Sequence, residues 1–128
     1  TAPITSGGVY TAIGAVASDI SYNTDVLTTT DYPLLDADLN IFRFGKVVSL
    51  YFRGFKNLTA NTENTIISAL PSEFRPSETV HFTLLQGSSS FAMVRITIHS
   101  NGAVKAYPYG DAAVTGSNNM STTVTYVK

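Results

Sequence analysis

The chain has 128 residues, enough for one domain to bury a core unaided, and it contains no cysteine, so neither disulfides nor thiolate metal sites contribute. Eight basic against nine acidic residues leave a formal charge of −1, which argues against an electrostatic grip on nucleic acid or anionic lipid. Charged residues make up only 13%, about half the ~25% of ordinary soluble domains, and Ser, Thr, Asn and Gly replace them in a surface suited to subunit contacts or neutral polar ligands.

The N-terminus, Thr1-Ala-Pro-Ile4, has neither the basic nor the apolar region of a signal peptide and reads as a cut through a longer chain. No apolar run approaches the ~18 residues of a membrane span. Residues 5–20 hold the one helical pattern: Val9, Ile13, Val16 and Ile20 are spaced 4, 3, 4, the seam of a coiled coil. Thr5 or Ser6 is a suitable N-cap and Ala12, Ala15 and Ala17 favour the helix, while Gly7, Gly8 and Gly14 oppose it. A helix this short is marginal alone, so the seam predicts a neck shared with other chains; the alternative is one amphipathic helix packed on its own domain. Residues 21–37 are turn-rich and read as a linker with at most one short strand, which leaves 38–128 as the head.

Beyond the linker the period changes to two. Leu39–Phe44 and Val47–Arg53 are divided by Gly45-Lys46, and in the second run Val48, Leu50 and Phe52 face one way, with Val47, Ser49, Tyr51 and Arg53 the other. Thr79–Leu85 places Val80, Phe82 and Leu84 inward, and Phe91–His99 does the same with Val94, Ile96 and Ile98. Asn101-Gly102 predicts a tight hairpin into Ala103–Tyr107, with positive φ at both turn residues. Met120–Val127 is a Thr- and Val-rich last strand. The pattern predicts an all-β fold, an antiparallel β-sandwich or jelly-roll-like barrel head on a short N-terminal helical neck, in a trimer.

Catalytic constellations are hard to find. His81 and His99 lie on separate strands without an adjacent carboxylate, and His99, beside the turn, reads as a solvated strand end. There is no GxSxG, HExxH, phosphate-binding glycine loop or DxDxDG loop. Nothing in the spacing of Glu73, Glu78 and Asp111 favours a glycosidase pair, so no catalytic residue, cofactor or metal is assigned, although Asp111 and the acidic residues of 31–38 leave a calcium ion open. The sequons Asn57-Leu-Thr59 and Asn119-Met-Ser121 are expected by chance in so Thr- and Ser-rich a chain.

Binding chemistry remains. Sugar sites need an aromatic face for the apolar side of a pyranose and short polar groups for its hydroxyls. The loop Gln86–Phe91 and the segment 107–111 gather these types, which makes Gln86, Phe91, Tyr107, Tyr109 and Asp111 the candidate ligand residues. Arg95 and His81 are second choices, on strands leading into those loops, and alternate with the core set as Met93, His99 and Tyr107 do. Each tyrosine taken singly is as well explained by packing, and His81 and Arg95 equally by contacts between subunits.

Thr5-Ser-Gly-Gly-Val-Tyr-Thr-Ala-Ile13 resembles a segment that recurs between shaft and head in phage and prophage tail fibres. Phe44–Gly54, then Leu70-Pro-Ser-Glu-Phe-Arg-Pro-Ser77, then Ile98–Tyr107 resemble the receptor-binding head itself, over roughly the whole chain. That resemblance implies a homotrimer at the tip of a virion's tail fibre, joined to the rest of the fibre or baseplate through its N-terminus; the charge balance, the lack of a long apolar run and the lack of a catalytic constellation separately predict no nucleic-acid binding, no membrane insertion and no catalytic activity. It also implies adhesion to a bacterial cell-surface saccharide; a trimerising cap without its own ligand is the alternative. Pro71 and Pro76 flank Phe74 in what reads as a fixed extended excursion with one aromatic anchor.

Overall fold

The computed structural model describes residues 22–87, 91–110 and 121–128. The predicted neck of residues 1–20, and with it the Val9/Ile13/Val16/Ile20 seam, lies outside the described residues, as do Asp111 and most of the second sequon. Among the described residues eight strands run in chain order: β1 (Tyr22–Leu27), β2 (Leu39–Phe44), β3 (Val47–Phe52), β4 (Asn64–Ile67), β5 (Val80–Gly87), β6 (Phe91–Ile98), β7 (Val104–Tyr109) and β8 (Thr122–Val127). They form two four-stranded antiparallel sheets, in the orders β1-β2-β3-β8 and β4-β7-β6-β5, packed as a sandwich. Each sheet is therefore a three-stranded meander completed by one strand that the chain delivers from the other sheet. A jelly roll interleaves its strands differently, so the sandwich is the architecture found.

The residues that alternate along β3 and β6 build the centre. Val48, Leu50 and Phe52 meet Val94, Ile96 and Ile98 in one buried cluster, joined by Leu39 and Ile41 of β2 and by Val104 and Ala106 of β7. The inward residues of β5, Val80, Phe82 and Leu84, are only partly buried, because among the described residues β5 is the edge strand of its sheet. The turn-rich stretch after Ser21 is built into the sandwich: β1 pairs with β2 along its length, and Leu27 and Leu35 are buried. Leu35 bridges Phe55, whose ring packs on Phe52 with centroids 5.4 Å apart.

Turn geometry sets the registers. Phe44 pairs with Val47 across a two-residue loop whose first residue, Gly45, has φ +61°, the backbone that a left-handed first position demands and glycine supplies. The 98–104 connection differs from the predicted two-residue turn. Gly102 N–H bonds the carbonyl of His99 (2.8 Å) and His99 N–H that of Ala103 (2.9 Å), closing a three-residue loop of 100–102. Only Gly102 takes positive φ there; Asn101 keeps an ordinary backbone and accepts the Ala103 N–H on its side-chain oxygen (3.0 Å).

The Leu70–Ser77 segment is not extended throughout. Pro71 opens a single 3-10 turn, Ser72–Phe74, that drives Phe74 into the core. Its carbonyl accepts the buried Tyr126 hydroxyl, whose pKa burial pushes up. In β4 a bulge between Thr65 and Ile67 lets the consecutive Ile66 and Ile67 both turn inward.

Candidate functional site

The outward faces of the two sheets differ in chemistry, and the mixed one belongs to β4-β7-β6-β5. Its register aligns three rows across the strands: His81–Thr97–Lys105–Thr65, then Thr83–Arg95–Tyr107, then Leu85–Met93–Tyr109. Period-two alternation of strands whose other side fills the core puts these residues on the outward side together, though Thr97 is itself buried there.

Arg95 is the hub. Its guanidinium carbon lies 5.1 Å from the Tyr107 ring centroid and 5.9 Å from that of Tyr109, within cation–π range of both. Arg95 Nη1 donates to the Tyr109 hydroxyl (3.1 Å), and Nη2 stands 3.5 Å from Glu63 Oε1. The two tyrosine rings, two residues apart on one strand, are tilted by 53° with centroids 4.9 Å apart. Lys105 Nζ approaches the other Glu63 oxygen at 3.9 Å. The side chains of Arg95, Lys105 and Glu63 are all more than a third exposed, so these pairs orient groups rather than stabilise the fold strongly. His81 Nδ1 and Thr97 Oγ1 are hydrogen-bonded at 3.0 Å at the far end.

Glu63 reaches this face because the loop before β4 is braced. The Asn64 side chain accepts the Thr59 N–H (2.9 Å) and donates to the carbonyls of Thr59, Thr62 and Ala106. Asn61, in the left-handed region at φ +52°, donates through its side chain to Gly110 O (2.6 Å) and accepts Gly110 N–H (3.2 Å). Its own N–H bonds Pro108 O at 2.8 Å.

Of the residues singled out in the sequence, Tyr107, Tyr109, Arg95 and His81 share this face. Tyr107 and Tyr109 do so from a strand, not a loop: β7 continues through Pro108, which pairs with Val94 on one side. The missing N–H is tolerated because the β4 ladder reaches only to Ala106, so that among the described residues no strand pairs with Pro108 on its other side. Gln86 and Phe91 are strand residues too, Gln86 opposite Ala92 and Phe91 opposite Gly87, so the predicted loop shrinks to 88–90, outside the described residues. His99 is not a solvated end, for its Nε2 is enclosed. Asp31 and Asp38 cap their own loop, accepting from Thr28 Oγ1 and the Thr29 N–H, and no group of three or more His, Asp or Glu gathers among the described residues.

Glu63 and Lys105 went unnoticed in the sequence. Lys105 alternates with Tyr107 on β7 and carries the same period-two signal as Arg95; Glu63 depends on the folded loop. The face as a whole offers ring surfaces, hydroxyls, cationic donors and one carboxylate, bordered by exposed Leu85 and Met93. The fold and this face define a small β-sandwich with one polar-aromatic sheet surface. No protein-family model matches the chain, and no curated protein matches it either.

Proposed function

We propose that the chain is the receptor-binding head of a bacteriophage tail fibre, a homotrimer that adheres to a bacterial surface saccharide and catalyses no reaction. The observation that supports this reading best is the Arg95 cluster: two adjacent tyrosine rings held by one guanidinium, beside Glu63, on an exposed sheet face. Tyrosine rings cover the apolar face of a pyranose, while Arg95, Glu63 and the tyrosine hydroxyls match its hydroxyl groups as donors and acceptors. Three copies on one fibre tip would turn weak single contacts into firm adhesion. The test is binding of the 128-residue chain to host cells and to a glycan array, beside Tyr109→Ala and Arg95→Ala at matched oligomer mass. Each variant should lose at least about tenfold in affinity, the equivalent of ~1.4 kcal/mol. Undiminished binding by both would remove the site from this face, and absence of binding by the wild type would favour the ligand-free cap.

A further inference from the structure

The second sheet surface points to a different role. In β1-β2-β3-β8 the register aligns Tyr22–Phe44–Val47–Val127 in one row across all four strands, then Thr24–Phe42–Ser49–Thr125, then Val26–Asn40–Tyr51–Thr123. No charged residue occupies any of these positions. Six of them, Tyr22, Val26, Phe42, Phe44, Val47 and Val127, are large apolar side chains open to solvent in the single chain. The opposite face, by contrast, carries Arg95, Lys105 and His81.

From this we infer that the outward face of β1-β2-β3-β8 is where copies of this chain pack on one another, an inference that rests on the homotrimer proposed above and names its surface. Four strands ~4.8 Å apart, six residues long at ~3.4 Å each, outline roughly 400 Å². That matches the largest apolar patches of monomers, ~300–600 Å², which commonly mark association sites, and upright side chains add accessible area toward the ~800 Å² per partner of a standard interface. Two further copies are the occupants this chemistry fits: about a threefold axis each face meets the same face of both neighbours. The twelve strand positions carry no charge, so the centre of the face meets its own copies with no buried ion to neutralise. Ser49 and Thr125 bond each other at 2.9 Å, so each hydroxyl keeps one partner when the centre of the patch is dried. Lys46, Arg53 and Lys128 stand beyond the strand ends as the polar rim such interfaces have. The seam predicted from sequence also ends at Ile20, two positions before Tyr22 opens the row.

Light scattering on the full 128-residue chain tests this. The wild type should have three times the 13.7 kDa chain mass. Phe44→Glu with Val127→Glu, both at exposed positions, should give single chains with an unchanged far-ultraviolet dichroism spectrum, while Leu85→Glu on the other sheet should leave the trimer intact. A double variant that stays trimeric overturns the inference and leaves the trimer standing on another surface; a wild type of single-chain mass overturns both. Hydroxyl-radical labelling of the wild type gives a readout that needs no variant. Tyr22 is 63% exposed in the single chain and Tyr109 42%, so a free face labels Tyr22 more. Buried between copies, Tyr22 labels less than Tyr109, and the opposite order overturns the inference.

Discussion

Replacing Gly102 with alanine should destabilise the fold by roughly 3–5 kcal/mol, from two separable causes. The first is backbone strain: at φ +93° an L-residue costs ~1–2 kcal/mol. The second is steric. A Cβ at this position would stand 2.8 Å from Leu70 N, 2.8 Å from Arg75 Nε and 3.0 Å from Leu70 O. Those atoms are tied to the turn and to each other, for Leu70 N–H donates to Gly102 O and Arg75 Nε to Leu70 O, each at 2.8 Å. Making room breaks one or both bonds, worth about 1 kcal/mol for the neutral pair and ~1.5–3 for the charged one. Gly110 supplies the control. Its φ is +118°, but a Cβ there meets nothing within 4 Å, so Gly110→Ala carries the backbone cost alone. Urea unfolding followed by circular dichroism, at one chain concentration for all variants, reads both values. A loss for Gly102→Ala no larger than that for Gly110→Ala would refute the close approach of the 100–102 loop to Leu70 and Arg75.

Asn64→Ala should cost ~1–2 kcal/mol by urea unfolding, since it removes four hydrogen bonds, of which the one to the Ala106 carbonyl is part-buried and the others are solvent-exposed; it should also weaken saccharide binding by releasing Glu63. Tyr126→Phe should cost about 1–2 kcal/mol at neutral pH, because the Phe74 carbonyl loses its donor in a buried place. Burial raises the Tyr126 pKa above its usual ~10, so the folded state holds that proton more tightly than the unfolded state does. This stability is complete below about pH 10 and is lost as pH rises above it; melting curves from pH ~9 to ~11 should fall more steeply for wild type than for Tyr126→Phe. Host-cell binding should persist from ~50 to ~200 mM salt, because the Lys and Arg of the candidate face among the described residues are Arg95 and Lys105, both beside Glu63.

Where one side of a strand fills the core and the other meets solvent, the sequence was enough. Val48/Leu50/Phe52 and Val94/Ile96/Ile98 are buried as their alternation predicts. β4 was illegible for a physical reason: four residues long, it carries a bulge that buries two neighbours in succession and destroys the period. Pro108 masked the end of β7, since proline ordinarily stops a ladder and only the shortness of β4 lets it stay. Asn101-Gly102 marked the place of a turn but not its form. There the Asn101 side chain takes the Ala103 N–H, and glycine alone absorbs the unusual backbone. In the candidate site, Arg95, His81 and Tyr107 were visible because alternation with core residues sets them outside. Glu63 was not, because a bracing asparagine three-dimensionally placed by Ala106 brings it there.

The exchange of strands between the two sheets has a kinetic consequence. β3 is complete only when β8 arrives, and their paired residues are as distant as Ser49 and Thr125, 76 positions apart. During synthesis of this chain, the first meander therefore waits with an open edge at β3 until residues 53–121 have followed it. Contacts of such separation close slowly, because the loop entropy must be overcome before any of the pairing is gained. A nascent chain halted before Thr122 holds an unfilled strand position beside β3, which any extended segment can occupy, including the β8 of a neighbouring copy.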